Sequence, residues 1–139
     1  AIDLIPFVTG AGEATRAVKT ANKVADKTTA VIKIQKAVDF TDESAKMVKS
    51  LDRSKGYTRS SLRAGTYIHN GYKATNEFIK KEKEVRLISK LRPDYVDKTR
   101  KIIYELKPMN KRNVKKGIKQ LMRYREELGD EFEMILELY

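Results

Sequence analysis

A chain of 139 residues, 40% apolar and 35% charged, supports one modest core under a large polar surface. It has no cysteine, which excludes a disulfide framework and any thiolate metal site. It also has no run of about 18 apolar residues, which excludes a spanning helix, and its net charge of +11 favours a polyanionic partner.

The charge is uneven. Residues 1–50 hold 8 Lys/Arg against 6 Asp/Glu, and residues 51–139 hold 22 against 13. The first stretch, Leu4 to Val8, is interrupted by Pro6 and is too short for a signal-peptide core. Glu13 to Val38 lacks Gly and Pro and is rich in Ala, Lys and Val, which predicts helix. A second short helix is expected after Thr41, with Thr41 as its cap. Residues 1–55 therefore read as a helical lead-in, and the polar stretch Ser50 to Ser61 sets a boundary before a second unit, residues 56–139.

In that second unit a helix is predicted from Tyr72 to about Lys83. A first strand is expected around Val85, Leu87 and Leu91. Asp94–Asp97 and Ile102–Lys107 form the next two, joined as a hairpin through Lys98–Lys101. Pro108 ends the third strand, since it cannot donate to a ladder. Val114, Ile118, Leu121, Met122, Arg125 and Leu128 follow a 3.6-residue period, so Asn113 to Leu128 is the strongest helix, with Asn113 as cap and Gly129 as stop. Phe132, Met134, Leu136 and Leu138 alternate with Glu131, Glu133, Ile135 and Glu137, which predicts a last strand with one polar face. The fold class is α+β, sandwich-like.

The chemistry concentrates in Arg92-Pro93-Asp94 and Glu105-Leu106-Lys107. In the hairpin Asp94, at the start of one strand, faces Glu105, near the end of its neighbour. Glu105 and Lys107 are two apart and share a sheet face, with Ile102, Tyr104 and Leu106 turned to the core. Two carboxylates and an ammonium suit a hard divalent cation such as Mg²⁺ or Mn²⁺ and a phosphodiester. Lys107 then orients or deprotonates a water, or meets developing negative charge. Of the 19 acidic residues only Glu105 has a lysine two positions later, although a strand-edge ion pair explains that spacing equally well.

Pro93-Asp94, Glu105-Leu106-Lys107 and the helical Gln120-Leu121-Met122-Arg123-Tyr124 together resemble the PD-(D/E)xK nuclease superfamily, whose members include many restriction endonucleases. The resemblance covers about half of the chain. It implies a restriction-endonuclease-like core of helix, three strands, helix, strand. It also implies Asp94 and Glu105 as metal ligands, Lys107 as the catalytic lysine, and Gln120 and Tyr124 as a Gln-x-x-x-Tyr element reaching back to the site. Family members often add an acid from the preceding helix, for which Glu77 is the first candidate and Glu82 the second. Lys116 and Arg123 are expected to hold phosphates, beside the basic run Lys111-Arg112, Lys115-Lys116 and Lys119. His69 and Lys73, spaced by four with Glu77, are read as nucleic-acid contacts. A catalytic role for His69 is the sharper alternative, and an ordinary surface histidine the blander one.

The segment Asp3 to Ala14 looks like the pre-toxin stretch ahead of bacterial polymorphic toxin domains, and the C-terminal part resembles their nuclease cargo. Contact-dependent inhibition, Rhs and wall-associated systems belong to this group. The resemblance implies a domain secreted at the end of a larger effector and acting in the cytoplasm of a competing cell on DNA or tRNA. It also implies a cognate immunity protein, acidic to match the basic domain. A start at alanine fits a piece of a longer polypeptide. Two readings from other classes are a non-catalytic nucleic-acid-binding module and a helical protein-interaction domain. The strand pattern over 94–107 and 131–138 weighs against the second.

Overall fold

A computed structural model describes residues 3–5, 30–53, 58–74, 86–87 and 89–139. In chain order the elements are β1 (Asp3–Ile5), β2 (Val31–Lys36), α1 (Asp42–Lys49), α2 (Leu62–Gly71), β3 (Tyr95–Asp97), β4 (Ile102–Lys107), α3 (Lys111–Leu128) and β5 (Glu133–Leu138). The five strands form one mixed sheet in the order β1-β2-β5-β4-β3. The first four are parallel, and β3 runs antiparallel to β4.

Both faces of the sheet are covered. Ile32, Ile34, Ile103, Met134, Leu136 and Leu138 pack against Val114, Ile118, Leu121 and Tyr124 of α3. On the other face Tyr95, Leu106 and Tyr139 meet Val48 of α1 and Ile68 of α2, followed by Tyr72. This corrects the expected polar face of the last strand: Met134 through Leu138 are all buried, Glu137 included. Alternation of Glu and apolar residues normally marks a half-solvated strand. Here the second helical layer removes the solvent.

Several expected boundaries move. Residues 31–36 are strand rather than the end of a long helix. The alternation Ile32-Lys33-Ile34 is a period-two signal that sends both isoleucines to the α3 face. Parallel pairing of β2 with β5 sets Ile34 beside Leu136 and Gln35 beside Glu137, so the sheet crosses the boundary expected at residue 56. The rest of the expected first helix, residues 13–29, lies outside the described residues.

The helix expected from Tyr72 to Lys83 does not start at Tyr72, where a helix ends, and its residues 75–83 lie outside the described residues. Tyr72 caps α2, and Lys73 turns the chain with φ 49°. The described residues of the expected first strand, 86–87 and 89–91, form a turn in which Lys90 N–H donates to the Leu87 carbonyl. Helix α3 begins at Lys111, because Asn110 rather than Asn113 is the cap: its Oδ1 accepts from the Asn113 N–H at 2.9 Å. Gly129 stops the helix as expected, and Thr41 caps α1 as expected.

Two glycines allow close approach. A Cβ on Gly71 would lie 1.6 Å from Ser44 Oγ and 2.6 Å from Thr41 Oγ1, so α1 rests directly on the end of α2. A Cβ on Gly117 would lie 2.6 Å from Leu136 Cδ1 and 3.1 Å from Lys107 Cγ, which is how closely α3 seats on β4 and β5. Gly71→Ala is expected to destabilise the fold by about 1–3 kcal/mol through overpacking. A urea melt with an unchanged midpoint would show that the two helices separate easily.

Candidate active site

The hairpin builds the first part of the site. Its ladder pairs Tyr95 with Tyr104 and Val96 with Ile103. One position further, Asp94 falls opposite Glu105. Asp94 Oδ2 accepts the Leu106 N–H at 2.7 Å, so a backbone donor of β4 fixes the carboxylate against the strand. Parity sends Glu105 and Lys107 to the α3 face of the sheet, at the C-terminal end of β4, while Asp94 lies in a bend just before β3 rather than at the expected strand start. Ile103, not Ile102, is the fully buried core residue on that face.

Glu105 is 2% exposed. Its Oε1 lies 3.1 Å from Lys107 Nζ. Its Oε2 is buried with no hydrogen-bond partner among the described residues. Burial, and next the facing Asp94 carboxylate, raise the Glu105 pKa to about 8 against the lowering pull of Lys107. Such a carboxyl is short of positive charge. Two opposed carboxylates, one with an orphaned buried oxygen, fit a small hard cation that keeps several of its own waters. Among the described residues no three His, Asp or Glu side chains gather tightly enough to ligate a metal by themselves. Water would have to complete the shell, or Glu77, which lies outside the described residues as does Glu82.

Helix α3 supplies the far wall. Tyr124 is buried, and its hydroxyl donates to the Arg92 carbonyl at 3.4 Å, just ahead of Pro93-Asp94. Burial, then the charges of Glu105 and Asp94, push its phenol far above the ordinary value, so it remains a donor. Gln120, one turn earlier on the same helix face, has a buried Oε1 without a partner among the described residues. Buried amide oxygens are normally satisfied, so two unsatisfied oxygens, on Glu105 and Gln120, mark this side of the sheet. Lys116 and Arg123 are exposed on α3. Lys116 lines a shallow depression together with Lys111, Arg112, Lys115 and Lys119.

His69 and Lys73 part company. His69, in the last turn of α2, puts Nδ1 3.1 Å from Asp94 Oδ1. Lys73 is turned to the opposite face, with its side chain 12% exposed. Its Nζ lies 3.5 Å from Glu137 Oε1 and 3.7 Å from Asp39 Oδ2. It also lies over the rings of Tyr104, Tyr72 and Tyr95, at 4.2, 5.4 and 5.4 Å. The expectation that Lys73 meets nucleic acid is corrected, because positive φ and the ion pairs direct it inward.

Glu137, expected on a polar strand face, is instead a buried hub. It accepts from Gln35 Nε2 at 2.9 Å and from the Tyr72 hydroxyl. Burial and then Glu137 raise the Tyr72 pKa well above the ordinary phenol value. These partners lie 102 and 65 residues away in sequence, so no local spacing announces them.

A family model described as Restriction endonuclease fold toxin 9 matches residues 57–139, more than half of the chain. No curated protein and no solved structure matches it.

Proposed function

Since the chain belongs to the restriction endonuclease fold toxin 9 family, we propose that it is a metal-dependent endonuclease that hydrolyses phosphodiester bonds of nucleic acid, with DNA favoured over tRNA. The observation that carries this reading is the Glu105 carboxylate, buried opposite Asp94 with one oxygen unpartnered and Lys107 at the other. Asp94 and Glu105 would hold Mg²⁺ or Mn²⁺, with Glu77 as a further ligand. A bound divalent cation would supply Lewis acidity at the phosphate and neutralise developing charge.

The chain's own groups divide the remaining work. The Lys107 ammonium, held 3.1 Å from Glu105, donates to a water or to the charged phosphate oxygens. Gln120 and Tyr124 present an amide and a hydroxyl from α3 that orient the backbone or the site's water. Exclusion of solvent around Glu105 strengthens each of these contacts.

The first half of α3 supports a polyanionic substrate. Lys111, Arg112, Lys115, Lys116 and Lys119 precede any acid in that helix, and its first turn has none. Cations near a helix N-terminus oppose the macrodipole, at about 0.3–1 kcal/mol each within the first turn. A nucleic-acid backbone offsets that cost. Replacing Lys115, Lys116 and Lys119 together by Ala is expected to lower the magnitude of the log K against log salt slope for duplex DNA by about 2–3. Fluorescence anisotropy at several salt concentrations reads this, and an unchanged slope would remove α3 from the interface.

The family places the domain among toxins. Delivery as the end of a larger secreted effector, action in the cytoplasm of a competing bacterium and neutralisation by an acidic immunity protein extend that reading. Among the described residues no helix is long and apolar enough to cross a membrane. The direct test is cleavage of plasmid DNA and, separately, of total tRNA with Mg²⁺, with Mn²⁺ and with EDTA. Cutting that EDTA stops supports the proposal. Salt-sensitive binding without cutting of either substrate would leave a binding module in its place.

A further inference from the structure

We infer that His69 is a positioning residue that holds the Asp94 carboxylate in its metal-binding orientation. This rests on the nuclease reading and goes beyond a substrate contact. Asp94 is gripped at both oxygens: Leu106 N–H at 2.7 Å from Oδ2, and His69 Nδ1 at 3.1 Å from Oδ1. An ionised carboxylate only accepts, so the imidazole is the donor in this pair. Each oxygen has two lone pairs, and one donor apiece leaves one lone pair on each for a cation. Without His69 one anchor is lost, and the side chain turns about its remaining bond to Leu106. Groups that orient a ligating carboxylate commonly matter as much as this.

The fold fixes the helix end that delivers His69. The Gly71 carbonyl accepts from Thr41 N–H at 3.0 Å, and Lys73 N–H donates to the Asp39 carbonyl at 2.8 Å. Ser44 sits flush on Gly71, where a Cβ would collide. Ile68, beside His69, is fully buried, and the Tyr72 hydroxyl bonds Glu137 of β5. The imidazole itself is 27% exposed, so the core does not depend on its bulk. Position, rather than packing, is what this turn supplies.

The test is Mn²⁺ binding to the whole 139-residue chain, read by electron paramagnetic resonance of free ion, with plasmid cleavage and thermal melting alongside. The proteins are wild type, His69→Ala, His69→Asn and Glu105→Gln. Asn places an amide nitrogen close to where Nδ1 stands. The expected result is Mn²⁺ binding weakened about 10- to 100-fold in His69→Ala, retained within about threefold in His69→Asn on the same donor argument, with melting temperatures alike. Cleavage by His69→Ala then recovers as Mn²⁺ is raised. Wild-type affinity in His69→Ala, with Glu105→Gln still impaired, would overturn the positioning role and leave the nuclease reading standing. Equal loss in Ala and Asn would also overturn it, since the imidazole would then act as itself. No Mn²⁺ binding by wild type would overturn both.

Discussion

Glu105→Gln is expected to abolish metal-dependent cleavage while leaving nucleic-acid binding within a few-fold of wild type. Removing a ligand carboxylate forfeits several kcal/mol of transition-state stabilisation. At about 1.36 kcal/mol per tenfold, that is a loss of about 10³-fold or more. The basic surface of α3 is untouched, so affinity for the polyanion stays. Plasmid nicking and anisotropy on the same preparation separate the two effects. Retained cleavage would remove Glu105 from the chemistry, and binding lost in parallel with cleavage would point to misfolding instead.

The same variant carries a pH signature. Glu105 faces Asp94, Lys107 and Tyr124, and its folded pKa is raised to about 8. A raised acid binds its proton more tightly folded than unfolded. Its contribution is therefore complete below the ordinary carboxylate pKa and is lost as pH rises through about 8. Metal-free wild type should lose stability across that window. Glu105→Gln, an amide with no proton to lose, should show a flatter profile. If Glu105 holds a metal as proposed, metal uptake should reverse the wild-type trend, because the cation would displace the proton and bind more tightly as pH rises. Melting curves at intervals between pH 5 and pH 9, with and without Mg²⁺, read all three. A flat wild-type profile would mean that Lys107 keeps Glu105 charged throughout.

The second large effect concerns stability alone. Glu137→Leu is expected to destabilise the chain by about 3–5 kcal/mol, since removing one member of a buried ion pair strands the other. Glu137 is 4% exposed at its side chain, and Lys73, Tyr72 and Gln35 all depend on it. Against a total of about 5–15 kcal/mol for a domain, that is a large share. The double variant Lys73→Met with Glu137→Leu should recover part of the loss, because Lys73 is no longer a stranded charge while Tyr72 and Gln35 still lack their acceptor. Urea denaturation of the single and double variants measures the coupling. A single variant as stable as wild type would show that Asp39 alone suffices for Lys73.

The sequence by itself determined what is local. The hairpin spacing that brings Asp94 beside β4 follows from a short turn between two strands, and the Asp94 carboxylate accepts the Leu106 N–H there. The 3.6-residue period fixed α3 to within two residues, and Gln120 and Tyr124 share its sheet-facing side. These signals need only neighbours within about a dozen residues. The family match over residues 57–139 bears out the nuclease-fold resemblance that those same motifs carried.

Tertiary structure decided the rest, because the deciding partners are remote in sequence. Val31–Lys36 ends a run rich in Ala and Lys that reads as helix, yet parallel pairing with β5 supplies ladder bonds and buries Ile32 and Ile34. Glu137 reads as a solvated strand residue until α1 and α2 cover its face and deliver Tyr72 and Lys73. Lys73 and His69, spaced as helix neighbours, separate because α2 ends at Gly71 and the chain turns at positive φ. His69 then reaches Asp94 across 25 residues, a contact set by where α2 docks and by nothing in its own neighbourhood.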